Sequence, residues 1–127
     1  MSKKIAFKNS VPKPAFRDAR GEIFDLIEEK VGHIGLITFV RGAVRANHYH
    51  IRSVQYSYVL EGKIKLMVSH IDGTHKKEYV LGPGTLSLIP PKMVHKYTAL
   101  TKAKMLDITT LSRNDNGYEK DTVRVTK

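Results

Sequence analysis

Cysteine and tryptophan are both missing from the 127 residues. Without thiols the chain forms no disulfide and runs no thiolate chemistry, so a metal would have to be held by His, Gln, Asp or Glu. Long apolar runs are missing too. The longest, "IGLITFV" at 34–40, is far shorter than the roughly 20 residues of a membrane-spanning helix. The opening "MSKKIAFKNSVPKPAF" has basic residues but no uninterrupted apolar stretch and no small-residue cleavage site, so it does not read as a signal peptide. A soluble, cytoplasmic protein without membrane contact is expected. No linker, low-complexity tract or internal repeat divides the chain, and its length suits a single domain over 1–127.

Charge is not missing. Lys and Arg number 22 against 12 Asp and Glu, a net charge of +10. The basic residues are scattered, which reads as solubility. The same excess attracts an anionic small molecule such as a phosphate, a nucleotide-sugar or a carboxylate. There is neither a helix-turn-helix pattern nor a basic stretch interleaved with aromatics, so nucleic acid is not an expected partner.

Short apolar runs alternate with turn signals. "HIGLITFV" (33–40) precedes Gly42, "VQYSYVL" (54–60) meets a turn at Gly62, and "IKLMVSHI" (64–71) runs into Asp72-Gly73. Asp-Gly favours the positive φ angles of a two-residue hairpin loop. "KKEYVLG", the turn "GPG" (82–84), "TLSLIPP", "HKYTAL" and "KMLDITTL" follow. Such strands, spaced near ten residues, predict an all-β antiparallel sandwich or barrel. The apolar positions of "EIFDLIEEKV" (22–31) suit either a helix or a strand followed by a turn, and the tail from Ser112 reads as a polar loop with a final edge strand. Tyr56 and Tyr58 share one strand face, opposite Gln55 and Ser57, and suit core or dimer-interface packing. A homodimer is expected, burying open sheet edges and exposed tyrosines.

"RANHYHIRSVQ" (45–55) is the chemically dense stretch. In a strand His48 and His50 point the same way and Tyr49 the other. His95 follows the stiff "IPP" of 89–91 in another strand-like segment, and a turn at Ile51-Arg52-Ser53 leads to Gln55. Three imidazoles and one amide oxygen make a site for a divalent transition metal, with Zn, Ni, Fe and Mn not distinguishable. His33, His70 and His75 read as surface or satisfied residues without evident partners. Asp107 either holds an imidazole by hydrogen bond or sits solvated at an edge. Asp121 and Arg124 read as a surface pair, and Met93 as packing at the barrel mouth.

The spacing Gly42, His48-Tyr49-His50, Gln55, Gly62 resembles the first cupin motif (42–62), with Gln55 in place of the usual Glu. "GTLSLIPPKMVHKYTA" (84–99) is similar to the second, with Lys92 at the usual turn glycine and Ala99 where many members have Asn. The resemblance implies a single-domain cupin, an antiparallel jelly-roll β-barrel. "FRDARGEIFDLI" (16–27), "RANHYH" and "IPPKMVHKYTAL" are further similar to nucleotide-sugar 3,5-epimerases and deoxy-ketohexose ketoisomerases, and to sugar-epimerase-like cupins of capsule biosynthesis. That likeness implies metal-free proton transfer beside a ketone. His48 would be the base, and Arg45 would bind phosphate or steady the enolate. His50 and His95 would assist with protons, while Arg20 would meet the diphosphate. Tyr97 would contact substrate, and Tyr97 and Tyr118 are the candidates for the acid. Two alternatives stand beside it: a metal-dependent dioxygenase or isomerase on a small anionic metabolite, holding its ion through His48, His50, Gln55 and His95, and a non-catalytic carbohydrate-binding cupin.

Overall fold

A computed structural model describes residues 5–125. The basic opening over 1–4 lies outside the described residues. Among the described residues, twelve strands and one short α-helix follow in chain order. They are β1 (Lys8–Ser10), β2 (Phe16–Asp18), β3 (Gly21–Ile23), β4 (His33–Phe39), β5 (Val44–His50), β6 (Gln55–Glu61), β7 (Ile64–Ser69), β8 (Lys77–Leu81), β9 (Leu86–Ile89), β10 (Val94–Ala99), β11 (Ala103–Thr109), α1 (Gly117–Asp121) and β12 (Thr122–Arg124). Two five-stranded antiparallel sheets form the jelly roll, ordered β1-β9-β6-β11-β4 and β12-β5-β10-β7-β8, with β2 and β3 as a separate hairpin. Among the described residues no helix is long and apolar enough to cross a membrane.

Inner faces of the two sheets enclose one apolar cluster that includes Phe39, Val59, Ile64, Leu66, Leu81, Ile89 and Met105. Burying a side chain of this size stabilises by roughly 1.5–3 kcal/mol. Toward one end of the sandwich the inward positions turn polar together. Along β6 they run Val59, Ser57, Gln55, and along β11 their partners run Met105, Asp107, Thr109. Along β10 Ala99 and Tyr97 give way to His95. The apolar end is a packed core, and the polar end is where a site forms.

A bulge in β5 sets what that end contains. His95 pairs with His48, but Tyr97, two residues on, pairs with Arg45, three residues back. Ala46 and Asn47 absorb the extra residue at φ of 71° and 62°. Simple alternation would turn Arg45 away from His48, and the bulge returns it to the same face.

The predicted strands appear where expected, with some differences. Residues 22–31 take the strand-then-turn alternative: β3 ends at Ile23, and Ile27 and Val31 pack in a second cluster with Val54, Tyr56 and Ile108 on the outer face. Tyr56 is therefore already buried within the chain rather than exposed. The Asp72-Gly73 loop is longer than a two-residue hairpin, because Asp72 Oδ1 accepts from Thr74 N at 3.0 Å and His70 N bonds Thr74 O at 2.9 Å. The polar tail holds a 3-10 turn at Asn114–Asn116 and α1 before its edge strand β12, which pairs with β5. Lys92 adopts φ 67°, the left-handed conformation its turn demands.

Candidate functional site

His48, His50 and His95 converge at the polar end. Ring centroids lie 4.9 Å apart for His48 and His50, 4.7 Å for His48 and His95, and 5.4 Å for His50 and His95. All three are buried. Hydrogen bonds fix their roles. Gln55 donates from Nε2 to the Tyr97 hydroxyl at 3.2 Å, so its Oε1 accepts from His50 Nε2 at 2.8 Å. His50 Nδ1 then accepts from the Thr122 hydroxyl at 3.3 Å. His95 donates from Nδ1 to the Met93 carbonyl at 3.1 Å, which leaves its Nε2 a bare lone pair with no hydrogen-bond partner among the described residues.

Burial pushes the His48 imidazole down to about 4, helped by His50, Arg124 and Arg113. Burial also lowers His95, with His48 and His50 adding to it. Both rings are therefore neutral near pH 7. Neutral imidazoles accept protons and ligate metals alike. The candidate ligand nitrogens of the three histidines all lie within 4.8 Å of one another, and with the Gln55 oxygen beside them the donor set fits a divalent first-row ion once the His50–Gln55 hydrogen bond opens and the His50 proton moves to Nδ1. Tyr97 is buried, its hydroxyl bonded to Ser57 and Gln55, and burial raises its pKa.

Of these groups His48, Gln55 and Tyr97 border a cavity of about 300 Å³ whose walls also include Arg45, Asp107, Arg113 and Tyr118. Arg45 is exposed at the rim, where its Nη2 donates to the Thr38 carbonyl at 3.2 Å and its guanidinium lies 5.6 Å from the Phe39 ring centroid. Arg20 does not line this cavity. It sits exposed on the β2–β3 hairpin, where Asp18 takes its guanidinium at 2.6 Å.

The sequence gives no sign of Arg113 in this wall, and it offers Tyr118 only as one of two candidates for the acid. Arg113 donates to Asp107 at 2.6 Å and lies 4.4 Å from the centroid of the Tyr118 ring. Tyr118 meets His48 and His50 edge-on at 6.0 and 6.1 Å. Both come from the tail, which the 3-10 turn and α1 fold back toward the histidines. A polar tail carries no periodic signal of that return.

Other expectations need correction. Asp107 is neither a solvated edge residue nor hydrogen-bonded to an imidazole: it is buried on β11 and bonded to Arg113, and burial raises its pKa against the opposing pull of Arg113. Asp121 and Arg124 do not form a surface pair. Asp121 is buried and accepts from the backbone N–H groups of Arg52 at 2.8 Å and Ser53 at 3.1 Å, while Arg124 pairs with Glu119 at 2.7 Å. His70 does have a partner, the stacked ring of His75 at 4.3 Å. His33 Nε2 is buried without a hydrogen bond among the described residues, close enough to Arg113 and Asp107 to feel both charges.

Two sheets, a histidine-lined cup at one end and both motif spacings are the marks of a cupin. The chain belongs to that family: the family model described as "Cupin domain" matches residues 35–109. Among solved structures, it shares its fold with QdtA, a sugar 3,4-ketoisomerase from Thermoanaerobacterium thermosaccharolyticum in complex with TDP, at TM-score 0.76 and 20% identity over 94% of this chain and 88% of that one. A dTDP-4-dehydrorhamnose 3,5-epimerase from Sulfolobus tokodaii aligns at TM-score 0.75 and 17% identity, covering 98% of this chain and 80% of that one. ChmJ, a 3'-monoepimerase from Streptomyces bikiniensis in complex with dTDP-quinovose, gives TM-score 0.76 and 15% identity over 94% and 69%. The sequence matches none of the curated proteins.

Proposed function

We propose that the chain is an isomerase or epimerase acting on a nucleoside-diphosphate 4-keto-6-deoxyhexose. A neutral His48 facing the cavity, with the Tyr118 phenol edge-on to it at 6.0 Å, is the observation that carries this reading. His48 takes the proton from the carbon next to the ketone. Returning a proton to that carbon from the other face epimerises it, and returning it to the former carbonyl carbon, while the neighbouring hydroxyl's proton passes to the former carbonyl oxygen, moves the ketone by one position. Burial raises the Tyr118 pKa, so the phenol keeps its proton near pH 7 and can supply it. Arg45 at the rim suits the diphosphate. Tyr97 holds Gln55, and through it His50, in place.

The substrate class is drawn from the fold neighbours, one of which holds TDP-4-keto-6-deoxyglucose. Incubation with that compound in deuterium oxide tests the reading. Wild-type protein should wash deuterium into the carbon beside the ketone, and His48→Ala should abolish it. No incorporation by the wild type would sink the reading.

The bare Nε2 of His95 favours a second reading, a resident divalent ion held by His48, His50, Gln55 and His95. When bound, such an ion supplies Lewis-acid polarisation of a substrate oxygen. Metal analysis of protein purified without added ions tests it, with loss on His50→Ala. A homodimer in the cytoplasm completes the proposal. Ile34, Leu36 and Val40, on and beside the edge strand β4, stay 62%, 61% and 76% exposed. Ile34 and Leu36 continue the apolar outer face through their partners Ile108 and Leu106.

A further inference from the structure

Arg113 has no task in the proton transfer described above, yet it is the most firmly held cation in the cavity. Its Nη2 donates to Asp107 Oδ2 at 2.6 Å, and its guanidinium covers the Tyr118 ring at 4.4 Å. Tyr118 in turn meets His48 at 6.0 Å. Asp107 is 4% exposed, and its Oδ1 has no hydrogen-bond partner among the described residues. Burying a carboxylate with one oxygen unmet costs stability. In return the carboxylate and the Tyr118 ring hold the guanidinium beside the cavity. Arg45, exposed like Arg113, is tied instead to a backbone carbonyl of the other sheet and has no carboxylate partner among the described residues.

The geometry points to Arg113 as the group that stabilises the enolate oxygen, with Asp107 as its positioning residue and Arg45 left to the diphosphate. This assignment rests on the proton-transfer reading. In that step the C–H bond breaks, its proton goes to His48, and its electron pair becomes a C=C bond. The carbonyl π pair moves onto oxygen, and an Arg113 N–H donates to the oxyanion so formed. Reprotonation at carbon restores the ketone, so no oxidant or reductant is consumed. A donor already in place needs no reorganisation when charge develops, which is where such groups act most strongly.

The test measures deuterium wash-in with saturating TDP-4-keto-6-deoxyglucose beside the affinity for TDP alone. Arg113→Ala should slow exchange by about 10²–10³-fold, leave TDP affinity unchanged, and recover exchange when guanidinium ion is added. Arg113→Lys keeps the charge but loses the planar fork, and should fall between. Asp107→Asn should slow exchange less than Arg113→Ala, again without moving TDP affinity. Arg45→Ala should weaken TDP instead. Exchange by Arg113→Ala at the wild-type rate overturns the assignment, as does a loss of TDP affinity that parallels the loss of exchange. A loss that guanidinium does not restore, accompanied by a lower melting temperature, is structural and overturns it too. Absence of exchange in the wild type sinks the reading and the assignment together, a result distinct from exchange that Arg113 does not influence.

Discussion

His50 and Gln55 are joined by a 2.8 Å hydrogen bond from imidazole Nε2 to amide Oε1, and the amide Nε2 continues to the Tyr97 hydroxyl at 3.2 Å. The amide faces a donor on one side and an acceptor on the other, which a carboxylate cannot do. Gln55→Glu would put a negative charge among three imidazoles and leave the Tyr97 hydroxyl without its donor. Titration calorimetry with Zn²⁺ should show tighter binding to Gln55→Glu than to wild type, and deuterium exchange should fall. Equal metal affinity in both proteins would mean that position 55 stands apart from the ion.

Acid should weaken the fold through His48. Its folded pKa is about 4 against an ordinary 6.5, so between these values the unfolded chain takes up a proton that the folded chain refuses. Stability is lost as pH falls from 6.5 to 4 and gains nothing from this group above 6.5. Buried His95 acts in the same sense, while Asp107, raised by burial, acts in the opposite one. The clean measurement is therefore a difference. Denaturant unfolding of wild type and His48→Gln should diverge by up to about 3 kcal/mol between pH 7 and pH 4.

Tyr118→Phe keeps the ring beneath Arg113 and beside both histidines while removing the phenolic proton. Proton removal by His48 should continue, and net product formation should drop by about 10²–10⁴-fold. Nuclear magnetic resonance reads both quantities in one sample. If product formation keeps pace with exchange in the variant, the phenol is not the acid.

Asp121→Ala should destabilise the protein by about 1–3 kcal/mol, because it strips the acceptors from the Arg52 and Ser53 N–H groups in the turn between His50 and Gln55. Asp121→Asn retains one acceptor and should cost less. Urea titration gives both values, and a null effect would show that water replaces the carboxylate freely.

Charging the open edge tests association. Ile34→Lys combined with Leu36→Glu should turn a dimer into a monomer in sedimentation velocity while circular dichroism stays unchanged. A wild-type monomer would remove the interface altogether.

Much of this was readable from the chain. Alternation put His48 and His50 on one face, and the turn-punctuated apolar runs marked β4 and β6 through β11. Three things escaped. The β5 bulge consists of Ala46 and Asn47 in left-handed conformations that neither residue requires, so nothing local shows how Arg45 joins the face of His48. Asp121 lies in a polar stretch, and its burial depends on two N–H groups some seventy residues away in sequence. Arg113 reaches the cavity through tertiary folding of a tail whose composition suits a loop. Local pattern reports the face of a strand, not which distant segment will close over it.

The extra residue in β5 also decides which length changes the cup's charge survives. Deleting the single codon for Ala46 or Asn47 would leave Arg45 two residues before His48, so plain alternation keeps it on the same face, and His48 and His50 stay paired to β12 as before. A one-residue deletion is then compatible with an anion-seeking mouth, whereas flattening the bulge at full strand length would give a neutral one.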